Sequence, residues 1–406
     1  MSELQHLDNI AIIDYQALMS LDPALYDEST VIAMEKRLLD DVAAFDIKQK
    51  ATKISLNSLY GVIGNGYFRF FDLDNAEAVT LTGQFIIQYI AGELNRIFNQ
   101  WLQTKDVRYA LYCDTDSVYL SCEEYVKQWT RSIVTETGKQ PTHGETIAEL
   151  DKFCSEKVEK FITNAFRKMN ATCLNGVGDF LRMKREVIAD KGIWTAKKRY
   201  ILSVFDDEGV KYTDPKLKYV GVEIAKASAP KFCRDAMLKA VKLLMKGDKA
   251  SLWALTEETR QAFNELPVED IAFPRSVNNL AKYSDPEGKM AYLRGTDEHG
   301  QRTIGTPFHV KGALIYNFLL DQVGLAGKFQ KIKDGEKIKF VALKEPNPTG
   351  GSVISFLNIL PQEMNLHRFV DYDVQFQKSF VDPLNLILHP VGWTHEPVAS
   401  LESFFV

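Results

Sequence analysis

The spacing of apolar residues predicts a chain rich in helices. The clearest helix runs from Thr80 to Leu102, where apolar side chains recur every three to five positions. A second helical pattern covers residues 47 to 60 and is expected to end at Gly61, because glycine often caps a helix. A further helix is expected to begin near Val31.

Other stretches predict strands. The sequence "VRYALYCDTDSVYLS", residues 107 to 121, places two β-rich runs on either side of a polar centre and predicts a β-hairpin. Residues 123 to 175 are mostly helical, with a polar loop near residues 135 to 144. Three strands are then expected in the segments "FLRMKREVIA", "KKRYILSVFD" and "VKYTDPKLKYVG". Helix returns after Gly221, with one helix ending at Gly247, so the pattern as a whole predicts an α+β fold.

Composition and charge narrow the class of protein. With 406 residues, 45% hydrophobic and 25% charged, the chain suits a soluble globular protein of two or three lobes. Its apolar runs stay well short of the roughly 20 residues that a membrane helix needs, and its opening residues lack the layout of a secretory signal. Five cysteines without a CxxC pair favour a reduced cytosolic setting without disulfides or zinc.

The net charge of -5 argues weakly against a protein that coats nucleic acid. A local basic stripe nevertheless exists, since residues 182 to 200 hold seven basic and two acidic side chains. Such a stripe is either a site for phosphates or a solvated face, and the sequence leaves both open.

Two aspartates form the first candidate site. Asp114 and Asp116 flank Thr115, and apolar residues crowd both sides of this triplet. Because alternate residues of an extended chain share a face, both carboxylates are expected to project together. Their repulsion would be offset by a divalent cation such as Mg²⁺, which often shares carboxylates with substrate phosphates. A solvated turn is the alternative for the triplet alone.

The segment "KISLNSLYG", residues 53 to 61, is the second candidate site. On a helix, Lys53, Asn57, Tyr60 and Gly61 share one face. A cation, an amide and a phenol ring in that order suit the phosphate, sugar and base of a nucleotide. An ordinary exposed helix face is the alternative.

The segment "KKRY", Lys197 to Tyr200, is the third. If it lies in a strand, Lys197 and Arg199 point away from the face that carries Lys198. One face could then hold a phosphate while Tyr200 packs near a sugar or base.

In this order the three segments resemble the B, C and KKRY motifs of family B DNA polymerases, especially those of T-even-type bacteriophages. The resemblance continues through "VNNLAKY", "TPFHVKGALIYN" and "VDYDVQFQKSFVDPL", and so covers nearly the whole chain from about residue 47. It implies partial fingers in residues 1–66, a palm with an antiparallel sheet and flanking helices in 67–221, and a mostly helical thumb in 222–406.

The resemblance also implies a role for each motif residue. Asp114 and Asp116 would bind two Mg²⁺ ions, and Lys53 and Asn57 would contact the triphosphate of the incoming nucleotide. Tyr60 would line the nascent base pair. Lys198 would bind the primer-terminal phosphate, and Glu186 would lie close to both the metals and the primer end. The full set of residues expected to contact primer and template is Gly61, Glu186, Lys197, Lys198, Arg199 and Tyr200.

The sequence departs from the family pattern at two positions beside the site. Lys184 stands where the resemblance leads us to expect an acid, and Cys113 replaces the glycine often found before the first aspartate. Both changes concern details of the site.

One family element is missing from this sequence. The A motif, D-x-x-S-L-Y-P, supplies a third carboxylate, and the nearest string, "SLDPALYD", has the wrong order. The upstream exonuclease is also missing. We therefore expect a second polypeptide to carry the N-terminal domain, the exonuclease, the A motif and the first fingers helix. The opening methionine suits a separately translated gene, and a truncated piece of a longer chain is the alternative.

The final segment, "ASLESFFV" at residues 399–406, resembles the family's peptide for the sliding clamp. Leu401, Phe404 and Phe405 would be its anchors; a disordered or packed tail is the alternative. The expected function is that of a C-terminal subunit of a split DNA polymerase in the cytoplasm of a phage-infected bacterium. Its expected partners are primer–template DNA, dNTPs, the N-terminal subunit and the clamp, without a membrane. A catalytically inactive remnant that binds DNA and the clamp is the alternative.

Overall fold

This computed structural model describes residues 27–174, 179–222, 224, 228–283 and 306–397. Contacts between residues divide the chain into two compact units, Met1–Ser121 and Cys122–Val406. Helices occur together with small antiparallel sheets, which confirms the predicted α+β class. The division into fingers, palm and thumb near residues 66 and 221 stays a prediction.

The first unit contains two long helices and a hairpin, which are α1 (Glu28–Ile63), α2 (Leu73–Trp101), β1 (Ala110–Asp114) and β2 (Ser117–Leu120). The two helical patterns predicted before Gly61 are one continuous helix, because neither glycine nor proline interrupts them. The predicted end at Gly61 is wrong. Gly61 keeps a negative φ, so the helix continues to Ile63 and is capped by Gly64.

Helix α2 forms the core of the first unit. It begins earlier than the predicted Thr80, because the side chain of Asp72 accepts a hydrogen bond from the backbone N–H of Asn75 at 2.9 Å. Its apolar stripe packs near β1 and includes the buried residues Ile90, Leu94, Ile97 and Phe98. By contrast, within the described part of the chain none of the residues of α1 is buried.

The second unit begins with three helices and a sheet, which are α3 (Glu123–Thr137), α4 (His143–Phe153), α5 (Glu159–Met169), β3 (Val187–Ala196), β4 (Arg199–Asp207) and β5 (Val210–Val220). The sheet is antiparallel in the order β3-β4-β5, so the three predicted strands are present. The predicted start of the first strand at Phe180 is wrong. The ladder of β4 ends at Asp207, opposite Val187, and earlier residues have no strand to pair with.

The rest of the second unit packs helices around another antiparallel sheet, β6-β7-β8. Its elements are α6 (Lys231–Lys246), α7 (Lys249–Asn264), α8 (Val268–Ile271), β6 (Phe273–Ser276), α9 (Leu280–Tyr283), α10 (Phe308–Gln322), β7 (Lys337–Ala342), β8 (Val353–Phe356), α11 (Tyr372–Phe376) and α12 (Asp382–Leu388). As predicted, one helix ends at Gly247, which has φ of 80°. No helix among the described residues has both the length and the apolar character needed to cross a membrane.

Candidate active site

The predicted hairpin is present, and its turn contains the two aspartates. Asp114 pairs with Ser117, which leaves Thr115 and Asp116 as the residues of the turn. The backbone N–H of Asp116 donates to the carbonyl oxygen of Asp114 at 2.6 Å, and Thr115 has φ of 52°. This is a γ-turn with positive φ, which is rare and strained for a β-branched residue. A shared face for the two acids therefore cannot follow from strand alternation, because only Asp114 lies in a strand.

Local hydroxyl groups surround the carboxylate of Asp114. The hydroxyl of Tyr112 donates to Oδ2 at 3.4 Å, and Thr115 Oγ1 donates to Oδ1 at 3.1 Å. The ring of Tyr112 packs against Tyr119 on the opposite strand, with ring centroids 5.7 Å apart. Asp114 is consequently half-buried and held by its neighbours, whereas Asp116 is exposed.

Cys113 precedes Asp114 in β1. Burial raises the pKa of the Cys113 thiol, and the opposing effect of Arg108 is smaller. The thiol is therefore neutral at physiological pH.

Two asparagines of α2 fix the base of the hairpin. Asn95 Oδ1 accepts the backbone N–H groups of Tyr109 and Ala110, both at 2.8 Å. Asn99 bonds both backbone groups of Val107, accepting its N–H at 3.0 Å and donating to its carbonyl at 2.8 Å. Sequence reasoning missed these residues. The sequence could have indicated them, because Asn95 and Asn99 lie beside the apolar stripe of α2, where the polar group of a side chain needs a hydrogen-bond partner.

The predicted nucleotide-binding residues share the C-terminal half of α1. Lys53, Asn57 and Tyr60 are all exposed, and Lys53 and Asn57 line a shallow groove along the helix together with Leu56. The hydroxyl of Tyr60 lies 2.6 Å from Thr80 Oγ1 of α2, which fixes the phenol ring between the two helices.

Gly61 follows on the same helix. A Cβ atom placed at Gly61 meets no atom of the described structure within 4 Å. Glycine is therefore not needed there for packing within the described part of this chain.

The KKRY segment forms a turn. β3 ends at Ala196 and β4 begins at Arg199, so the prediction that the two lysines alternate along a strand is wrong. Lys198 has φ of 61°, and Gly221, with φ of 67°, approaches it so closely that a Cβ atom there would lie 2.2 Å from the carbonyl oxygen of Lys198. The turn needs this glycine, which sequence reasoning also missed.

The side chains of this turn divide between solvent and core. Lys197, Lys198 and Arg199 are exposed and concentrate positive charge at one point. Tyr200 is only 9% exposed, and its ring centroid lies 6.5 Å from that of Trp194. Its ring therefore packs mainly against the sheet.

Glu186 precedes β3 and is exposed, as is Lys184. Arg185 between them forms ion pairs with Asp151 and Asp206. Burial alone would lower the pKa of Arg185, but the two carboxylates outweigh it and raise the pKa. The guanidinium is therefore held as a cation.

The carboxylate oxygens of Asp114 and Asp116 are of the kind that magnesium prefers. Mg²⁺ usually takes one or two protein carboxylates together with substrate phosphates, and Asp114 and Asp116 supply such oxygens. Across the residues with described positions, no group of three or more histidine, cysteine, aspartate or glutamate side chains is placed to hold a metal ion.

The predicted clamp-binding residues Leu401, Phe404 and Phe405 lie outside the described residues.

Comparisons with known proteins find DNA polymerases. The model of DNA polymerase family B matches residues 33–145, which include most of α1, all of α2 and the hairpin. The DNA-directed DNA polymerase of Enterobacteria phage T4 is 30% identical over 392 residues, covering 94% of this chain and 41% of that relative. The enzyme of Escherichia phage RB69 is 33% identical over 368 residues, covering 87% of this chain and 38% of its own length.

A more distant relative matches a smaller part. The DNA polymerase beta of African swine fever virus, isolate Tick/Malawi/Lil 20-1/1983, is 28% identical over 209 residues, covering 50% of this chain and 16% of that protein. The chain thus spans about two fifths of the length of the phage relatives that it matches. The family match and the two phage relatives together show that this chain is similar to a segment of a phage-type DNA polymerase of family B.

Proposed function

We propose that this chain is part of a DNA-directed DNA polymerase that adds dNTPs to a primer 3′ end by two-metal nucleotidyl transfer. The strained turn that carries Asp114 and Asp116 supports this proposal most strongly. It lies within the segment that matches the family, and strained backbone tends to persist where a fold over-determines a functional site.

In this mechanism, the two aspartates hold the metal ions, which when bound stabilise charge on the attacking and leaving oxygens. Lys53 and Asn57 bind the triphosphate of the incoming nucleotide with a cation and an amide. Tyr60, fixed by its hydrogen bond to Thr80, lines the nascent base pair.

The primer and template meet other residues. Lys197, Lys198 and Arg199 are exposed cations of one tight turn and bind primer phosphates without reading sequence. Glu186 acts at the primer end, and Tyr200 supports the turn from the sheet. The open surface at Gly61 lets the template approach the helix backbone.

We propose a partner polypeptide that supplies the A-motif carboxylate, the exonuclease and the first fingers helix. The surface of α1 supports this partner, because eight of its large apolar side chains are each between 54% and 68% exposed and lie at several positions around the helix. They are Ile32, Leu39, Val42, Phe45, Ile47, Ile54, Leu56 and Leu59. Soluble proteins seldom leave so many large apolar side chains exposed on one helix, and obligate interfaces cover surfaces of this kind. The C-terminal peptide would bind a sliding clamp through Leu401, Phe404 and Phe405.

The test replaces one carboxylate in the polymerase reconstituted with that partner. Asp116→Asn is expected to lower nucleotide incorporation by about 100-fold or more while primer–template binding is retained, because metal charge stabilisation is worth several kcal/mol. Asp106→Asn is the matched control, since Asp106 is an exposed loop acid of the same unit. Unchanged synthesis in Asp116→Asn would instead favour an inactive remnant that binds DNA and the clamp.

A further inference from the structure

The segment before β3 is anchored by one buried side chain. The guanidinium of Arg185 donates from Nη1 to Asp206 Oδ1 and from Nη2 to Asp151 Oδ1, the latter at 2.6 Å. The side chain of Asp206 is fully buried and that of Arg185 is 13% exposed. Asp151 belongs to α4 and Asp206 to β4, so one side chain connects the segment to a helix and to the sheet.

The backbone of the same segment is also held. The N–H of Arg185 donates to Glu159 Oε1 of α5 at 2.9 Å. The carbonyl oxygen of Glu186 accepts the N–H of Glu208 at 2.6 Å and Arg185 Nη1 at 3.3 Å. The peptide groups that precede Arg185 and follow Glu186 are thereby fixed, although residues 181 to 186 belong to no strand.

This anchoring decides which side chains face solvent. Exposure alternates along the segment, with Lys184 and Glu186 exposed on either side of the largely buried Arg185. Arg185 points inward, and its two exposed neighbours are presented together.

We propose that Arg185 is a positioning residue for the polymerase reaction, which holds Glu186 in place at the primer end through its ion pairs with Asp151 and Asp206. This inference rests on the proposed function of Glu186. Arg185 itself contacts protein groups and is not a catalytic residue. Arginine suits the task because its planar fork bonds two carboxylates and a carbonyl at once, which the single ammonium group of lysine cannot reproduce.

The first test needs no polymerase activity. Arg185→Lys in the full chain is expected to raise the rate of amide hydrogen exchange at Glu208 and at residue 185 by about tenfold or more. The reason is that both amides form hydrogen bonds that connect the anchored segment to the rest of the unit, the first to the carbonyl oxygen of Glu186 and the second to Glu159. Amides in the middle of β4 should exchange as before. Arg167→Lys is the matched control, since Arg167 pairs with Asp179 at 2.7 Å on the surface. Unchanged exchange at Glu208 would overturn the proposal whatever the chain's activity.

The second test is a double-mutant cycle on single-nucleotide incorporation by the reconstituted polymerase. If Arg185 acts through Glu186, Arg185→Lys lowers kcat/KM at least fivefold alone and has no further effect in the Glu186→Gln background. Additive effects would mean that Arg185 only stabilises the fold, and would overturn the proposal. A wild-type pair that incorporates no nucleotide would overturn the proposed function itself, while the exchange experiment would still report on the anchor.

Discussion

Replacing Gly61 by alanine should separate stability from activity. Apart from the adjacent residues and the backbone of the helix itself, nothing in the described structure lies within 4 Å of the new methyl group, and the backbone of Gly61 is already helical. Alanine is favoured over glycine in a helix interior by about 1 kcal/mol, and a site three residues before the cap should keep about 0.5–1 kcal/mol of this gain. The free energy of unfolding should therefore rise.

Activity should change in the opposite direction. If the template approaches the helix backbone at Gly61, a methyl group there crowds the contact. Overpacking typically costs about 1–3 kcal/mol, which corresponds to a loss of about 5- to 150-fold in nucleotide incorporation.

The measurements are chemical denaturation of the chain and single-turnover incorporation by the reconstituted polymerase. Gly92→Ala is the matched control, because Gly92 is an exposed helical glycine of α2 that is equally open. It should give a similar gain in stability with unchanged incorporation. A Gly61→Ala enzyme that incorporates nucleotides like wild type would refute the role assigned to Gly61.

The remaining predictions concern the second unit. Gly221→Ala should lower the free energy of unfolding by about 1–3 kcal/mol or more, because φ of Gly221 is positive and the new methyl group would meet the carbonyl oxygen of Lys198. Gly209→Ala is the control, since φ of Gly209 is also positive but the space around it is open. Chemical denaturation should show a smaller loss of stability for Gly209→Ala than for Gly221→Ala. Burial and then Arg275 lower the pKa of His309 below its usual 6.5, so the fold favours the neutral ring. Stability should therefore fall as pH drops from 6.5 through the folded pKa, and His309→Gln should flatten that part of the pH profile; an unaltered profile would contradict this assignment.

Local patterns were sufficient to predict the hairpin and α2. The β-rich runs on both sides of the D-T-D triplet and the apolar period after Thr80 depend only on neighbouring residues. The single helix α1 was also within reach, because no glycine or proline lies between residues 28 and 60.

Other features could not be found in this way. Gly61 and Gly64 are chemically alike, and only the turn that follows decides which of them caps α1. Lysine has no marked preference for a positive φ, so the position of Lys198 depends on the pairing of β3 with β4 and on the close approach of Gly221. Arg185 forms its ion pairs with Asp151, which lies 34 positions before it in the sequence, and with Asp206, which lies 21 positions after it. No local sequence pattern connects residues so far apart.

The exposed apolar side chains of α1 make the timing of assembly important. An uncovered surface of this kind attracts any other apolar surface, including that of a second newly made copy. The rate of self-association is proportional to the square of the concentration of this chain. The rate of binding to the proposed partner is proportional to the product of the concentrations of the two polypeptides. The ratio in which a cell synthesises the two polypeptides would then govern how much enzyme matures and how much precipitates.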